Sequence, residues 1–343
     1  MELGFSTDQR DLFDAFEQFF SRESAPSVVR AAEPLGFDVD LWHKLDAMEV
    51  WGSGASIADL AVIAETAGRW IAPVPFVEHA VASALLTGDA PAGGDVATIS
   101  VRPADADGVW RLVPAGAVAN VVVGLDGGDF VAIRSTPPMT GPRNHASAPL
   151  ADRSALDGER ILLGSAADFE AALDRWKVLT AAALVGVASM ALELALDYVK
   201  ERHQFGVPIG SFQAVQHGLA DLPGSIDGAR LLTHKAAAAL DAGAAGECDV
   251  DNNDIDDPSA LASMAVLFAG DIATHATDRS LHFHGGYGFA EEYDIQLYYR
   301  RARGWSLILG EPARELLALA DRLWPIGSPA GSPAESPAGS RVD

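Results

Sequence analysis

Apolar residues recur at helical spacing through the first part of the chain. Ser6-Thr7-Asp8 can cap a helix on which Leu12, Phe13, Phe16, Phe19 and Phe20 return every three or four residues. Trp42 to Met48 and Ile57 to Trp70 continue the pattern. Ala72-Pro73-Val74-Pro75 interrupts it, and Val77 to Leu86 takes it up again. Over residues 95–163 the period changes. Val96 to Val101, Val109 to Val113, Val118 to Val123, Phe130 to Arg134 and Arg160 to Leu163 are short β-rich runs parted by Gly, Asp and Pro turns. Gly124-Leu125-Asp126-Gly127-Gly128-Asp129 has the composition of a hairpin turn and does not match a phosphate loop. From Asp168 the helical period returns, over 168–201, 212–243, 258–283 and 290–324. Residues 327–343 are a Gly, Ser, Pro and Ala repeat, expected to be disordered. The pattern predicts an N-terminal helical domain over 1–90, a reduced β-domain over 91–166, a C-terminal four-helix domain over 167–326, and a tail. The class is mainly α with a small central β-domain.

One corner stands out between the first two C-terminal helices: Arg202-His203-Gln204-Phe205-Gly206-Val207-Pro208-Ile209-Gly210-Ser211-Phe212-Gln213. On chemistry alone it reads first as an ordinary interhelical turn whose Arg caps a helix C-terminus. The second reading is an anion site. A guanidinium offers a rigid fork of donors, and a helix start adds free N–H groups and a positive dipole end.

Composition narrows the setting. Among 343 residues, 24 Lys and Arg stand against 48 Asp and Glu, a formal net charge of −24. That balance opposes binding to nucleic acid or to an anionic membrane. A polyanionic ligand would need a local basic site, which Arg202, Arg300, Arg301 and Arg303 could supply. The single Cys248 excludes an internal disulfide and fits a reducing cytoplasm. No uninterrupted apolar run of membrane-spanning length appears, and the start lacks the pattern of a signal peptide, so a cytoplasmic protein is expected.

The corner resembles a family signature. R-x-x-F-G-x-P-I-x-x-F-Q is similar to the corner of the acyl-CoA dehydrogenases. His284-Gly285-Gly286-Tyr287-Gly288-Phe289, then Glu291, Glu292 and Tyr293, then Tyr299-Arg300-Arg301-Ala302-Arg303, resembles the family's later glycine and R-D-A-[RK] block. The resemblance implies a helical, β, helical fold and α,β-dehydrogenation of an acyl-CoA thioester. A carboxylate would take the α-proton and FAD would accept the hydride. It further implies FAD contacts from Arg202, Phe205, Gln213, Gly285, Gly286 and Gly288 across a subunit interface. His282 stands where the family usually has a cofactor-contacting Gln. For His282 and His284, metal ligation is a remote alternative, since no carboxylate or Cys sits at ligand spacing.

Departures from the family pattern define the chain further. The T-E-P-x-x-G-S-D and W-I-[TS]-N segments, which hold the flavin ring and part of the thioester, are not found over 87–165. In the loop Leu307-Ile308-Leu309-Gly310-Glu311-Pro312, Leu309 falls where many members carry the catalytic Glu. Glu311, one register later, is a candidate base. Some relatives draw the base from an earlier helix, at the position of Asp271, and burial in that Ala-rich helix would raise its pKa. Trp305 is a candidate for the acyl pocket. The resemblance is narrowed to the short subunit of actinobacterial α2β2 steroid-type dehydrogenases. It implies a longer partner subunit, a bulky acyl-CoA and an electron-transfer flavoprotein or similar acceptor. A non-catalytic scaffold and an acyl-CoA oxidase-like flavoenzyme are the alternatives. Asp249-Val250-Asp251-Asn252-Asn253-Asp254 starts like a calcium loop but has Asp254 where Gly is needed, so it reads as a solvated acidic connector.

Overall fold

A computed structural model describes residues 4–51, 55–86, 93–245 and 256–324. The acidic stretch Asp249–Asp254, Cys248 and the tail lie outside the described residues. The first helices are α1 (Thr7–Glu23), α2 (Pro26–Ala32), α3 (Val39–Asp46), α4 (Ile57–Arg69) and α5 (Phe76–Ser83). Ser6 caps α1 in a box with Gln9, as its position predicts, and Phe16 and Phe20 turn into the core. The pair Pro73 and Pro75 separates α4 from α5.

The β-rich region holds β1 (Ala97–Ile99), β2 (Val109–Val113), β3 (Val121–Asp126), β4 (Asp129–Arg134), β5 (Ala151–Ser154) and β6 (Glu159–Ser165). One sheet runs β1-β3-β4-β6, with β1 parallel to β3 and the other pairs antiparallel. Asp126 pairs with Asp129, so Gly127 and Gly128 form a two-residue hairpin loop where the composition placed a turn. A second sheet pairs β2 with β5. The sequence pattern missed β5, because Ala-Asp-Arg-Ser carries no apolar run.

The last part holds α6 (Ala166–Glu201), β7 (His203–Gln204), β8 (Val207–Pro208), α7 (Gln213–Ala220), α8 (Leu222–Ala244), α9 (Pro258–His284), α10 (Ile295–Trp305) and α11 (Pro312–Leu323). Helices α6 and α9 form the centre of the bundle. Both are long and apolar enough to cross a membrane by length and composition, yet 89% and 67% of their most apolar windows are buried inside the fold. Small residues let α4 and α6 approach closely: a Cβ on Gly186 would lie 2.0 Å from the Glu65 carbonyl oxygen. Each Leu or Val that α6 buries, such as Leu179, Leu184 and Val187, contributes about 1.5–3 kcal/mol.

Two contacts fasten the N-terminal helices to the rest. Trp42 of α3 is fully buried in the β-domain core and donates to the Gly94 carbonyl at 2.8 Å. Glu33, just after α2, accepts from Arg300 at 2.8 Å and Arg301 at 2.6 Å on α10. This corrects the expectation of a basic site built from that Arg block. Arg300 and Arg301 are committed to Glu33, and Arg303 lies over the Tyr299 ring, 5.4 Å from its centroid.

Candidate functional site

The Arg202 corner is assembled by a hairpin and a helix end. Helix α6 stops at Glu201, and the Arg202 backbone N–H donates to the Tyr198 carbonyl at 2.8 Å. Strands β7 and β8 then pair, with Gln204 opposite Val207. Phe205 and Gly206 form the tip with φ of 56° and 84°, the two positive values of a tight hairpin turn. A positive φ is unfavourable for a Phe, and the side chain it displays is 93% exposed. The hairpin was not visible in the sequence pattern, since only two residues on each side pair.

Helix α9 delivers the glycines from the other side. It ends at His284, and Gly285 adopts φ 62°. A Cβ on Gly285 or Gly286 would meet nothing within 4 Å, so both backbones face open space. Arg202, Gly285 and Gly286 line one pocket of about 460 Å3 with Tyr198, Gln204 and Tyr287. The Arg202 guanidinium lies 5.3 Å from the Tyr287 ring centroid and makes no ion pair among the described residues. His284 is buried, stacks on Tyr198 with centroids 4.2 Å apart, and its Nδ1 bonds the Ser280 carbonyl at 2.7 Å. Burial pushes its pKa below the ordinary histidine value, against the raising effect of the Ser280 bond.

Other candidates stand apart from that pocket. Phe205, Gln213 and His282 are exposed and do not line it. Gly288 is buried, and a Cβ there would lie 2.6 Å from the Leu281 carbonyl oxygen. Its glycine is required by packing of the turn against α9.

The two acid candidates meet elsewhere. Asp271 of α9 and Glu311 before α11 line a second pocket of about 760 Å3, walled also by α6 and the loop after α10. Asp271 is exposed, which corrects the expectation that its apolar helix buries it. Its neighbours Ala269, Gly270, Ile272 and Ala273 are buried, Gly270 against Ser306 of the loop after α10, while Asp271 opens onto the pocket. Glu311 is exposed as well and precedes Pro312 at the start of α11. Leu309, at the family's base position, lines the same pocket. Arg102 reaches across from the end of β1 and donates to the carbonyls of Ile308 at 3.3 Å and Leu309 at 3.4 Å. Lys177 lies buried on the pocket wall between Asp174 at 3.2 Å and Glu315 at 2.9 Å. Burial alone would lower the Lys177 pKa, but the two carboxylates outweigh it and raise it.

A smaller cavity of about 90 Å3 lies where the three parts of the chain meet. Trp305 lines it, together with Glu78, Trp176, Thr180 and Ile308. Sequence reasoning singled out neither Glu78 nor Arg102. The available signals were an acid inside the apolar run from Phe76 to Leu86 and a cation closing a β-run before Pro103.

Residues 154–324 match the family description "Acyl-CoA dehydrogenase, C-terminal domain". The chain belongs to the acyl-CoA dehydrogenase family. It is 28% identical over 334 residues to acyl-CoA dehydrogenase IpdE2 of Mycolicibacterium smegmatis, covering 91% of this chain and 98% of that protein. The Mycobacterium tuberculosis IpdE2 is 27% identical, with 92% and 98% covered. Among solved structures, the Tcur3481-Tcur3483 steroid acyl-CoA dehydrogenase superposes with a TM-score of 0.77 at 25% identity, covering 92% of this chain and 97% of that one. The ChsE4-ChsE5 complex from Mycobacterium tuberculosis gives 0.80 at 20% identity, covering 96% and 100%, and so shares the fold. The family's fold, its acyl-CoA oxidoreductase chemistry and its cofactor FAD are those that the two motifs implied. The residues around the corner fit part of that cofactor. An uncommitted guanidinium and two open glycine backbones suit a pyrophosphate, which a Cβ would crowd.

Proposed function

We propose that this chain is one subunit of a heteromeric, FAD-dependent acyl-CoA dehydrogenase and shares its flavin site with a longer partner. One observation carries the reading. Arg202, Gly285 and Gly286 form an open, cationic pocket on the surface, while the loop position of the family's base holds Leu309. The chain thus offers an outward half-site for a phosphate-bearing ligand. Tyr287 on its wall is exposed, as are Phe205 at the hairpin tip and Phe289 just after the glycines, apolar surface that a partner would cover. The steroid dehydrogenase, at 25% identity, supports a bulky, steroid-derived acyl group, as does the shortness of the β-domain.

In this reading FAD, when bound, supplies the hydride acceptor. Arg202 holds its diphosphate from this side and the Gly285-Gly286 backbone permits close approach. The α-proton goes to a carboxylate, for which Asp271 is this chain's candidate and Glu311 the second. Both line the larger pocket. A second reading makes the chain a non-catalytic subunit that completes the partner's site. The bridge from Arg102 to the carbonyls of Ile308 and Leu309 favours it, because that side chain spans the gap between β1 and the loop.

The test is production of the chain alone and together with a longer dehydrogenase encoded beside it. The expected result is a flavin-poor, inactive chain alone and a yellow, active complex. Stoichiometric FAD and turnover from the chain alone would refute the proposal.

A further inference from the structure

We infer that Glu78 is a specificity residue, set in the cavity at the three-domain junction to hydrogen-bond an oxygen on the far part of the acyl group. The inference rests on the acyl-CoA dehydrogenase reading above and names what its substrate carries.

The cavity wall is mostly apolar, from Ile308, Trp305, Trp176 and Pro114. Glu78 projects from α5 into it. Its carboxylate accepts from Trp176 Nε1 at 3.3 Å and from its own backbone N–H. A carboxyl can engage about four donors when ionised, or combine donating and accepting when protonated. One long bond from Trp176 and one from its own backbone leave part of that capacity unused. The one cation on the wall, Arg301, is already held by Glu33 at 2.6 Å. Thr180 of α6 also lines the cavity.

An acid in such a place has a cost, since burial disfavours its charged form and raises its pKa above the ordinary glutamate range. A purely structural wall would place Leu or Gln there at lower cost. A volume of about 90 Å3 is too small for a ring system and large enough for a few water-sized groups. It suits the tip of an acyl group bearing a hydroxyl or a ketone. The hydroxyl can donate to the carboxyl, and the protonated carboxyl can donate to a ketone. The cavity and the larger pocket share a wall: Trp176 and Ile308 face the first, while Lys177 and Leu309, their chain neighbours, face the second.

The test measures thioester binding, so it does not depend on turnover. Hexanoyl-CoA, 5-hydroxyhexanoyl-CoA and 5-oxohexanoyl-CoA are titrated calorimetrically into the FAD-loaded heteromer, or into the chain alone should it load FAD by itself. The expected result is about a tenfold or greater preference for an oxygenated thioester over hexanoyl-CoA, the size of one satisfied buried hydrogen bond. Glu78→Gln keeps a preference, because an amide both donates and accepts. Glu78→Leu removes it, and Glu78→Ala replaces that variant should Leu fail to pack. Which oxygenated thioester wins tells whether the carboxyl accepts or donates. Equal affinities in the wild type, or a preference that survives Glu78→Leu, overturns the inference. Failure to load FAD in any assembly counts instead against the subunit reading.

Discussion

The guanidinium of Arg202 lies over the ring of Tyr287, 5.3 Å from its centroid, at the edge of the pocket lined by Gly285 and Gly286. Two motifs about eighty residues apart in sequence therefore meet at one point. The ring holds the cation in place without neutralising it, as a carboxylate would. Arg202→Ala should weaken FAD binding by the heteromer about ten- to a hundredfold, the size of a charge-assisted hydrogen bond. Arg202→Lys should recover only part, because an ammonium lacks the planar fork. Flavin fluorescence titration reads both. Wild-type affinity in Arg202→Ala would remove the phosphate role.

The two neighbouring glycines predict opposite behaviour. A Cβ at Gly286 meets nothing within 4 Å, so Gly286→Ala should leave the melting temperature unchanged and weaken FAD binding. At Gly288 the Cβ would lie 2.6 Å from a backbone oxygen, so Gly288→Ala should cost about 1–3 kcal/mol of stability. Thermal unfolding and flavin titration of the two variants separate the roles. Loss of stability in Gly286→Ala with intact FAD binding would reverse the assignment.

How far the sequence carried the reading depends on range. Helices α1 and α4 were legible because their apolar faces repeat within one element, and α6 and α9 because their Ala-rich apolar runs are long. The Gly127-Gly128 hairpin was legible because turn chemistry is local. Strand β5 and the β7–β8 hairpin were not, since their partners and not their composition make them strands. At the site, the motifs named Arg202, Gly285 and Gly286, and the fold brings these together. The fate of Arg300 and Arg301 depended on Glu33, which lies 267 positions from Arg300, and no spacing rule reaches that far. The exposure of Asp271 depended on which face of α9 meets α6, and a helix with small residues all round does not declare its face.

The pairing of Asp271 and Glu311 in one pocket yields a test of the base. If Asp271 takes the α-proton, Asp271→Asn should lower kcat at least about a hundredfold, the usual contribution of a general base. Glu311→Gln should then have little effect. Stopped-flow reduction of the flavin by substrate isolates the chemical step. Full activity in Asp271→Asn within the assembled complex would exclude it, and full activity in both variants would place the base on the partner.

Acid should loosen the junction between α5 and the β-domain through His79. This residue is 2% exposed and packs against the stacked rings of Trp42 and Trp51, with centroids 4.8 and 4.7 Å away. Its Nδ1 accepts from the Ala97 N–H at 3.0 Å, which an imidazolium cannot do. Burial lowers its pKa to about 4 from the ordinary 6.5. The folded state therefore resists protonation that the unfolded state accepts. The neutral form's contribution is fully present above pH 6.5 and declines as the pH falls toward 4. The whole decline amounts to about 3 kcal/mol, from the shift and the free energy of one pKa unit. His234, lowered to about 4 mainly by burial and secondarily by Arg230, adds a loss of the same sign. His79→Gln keeps an acceptor for Ala97 and does not titrate. Its stability, followed by urea unfolding between pH 7 and pH 4, should fall less steeply than that of the wild type. Parallel pH curves for the two proteins would show that His79 is not charged on unfolding in this range.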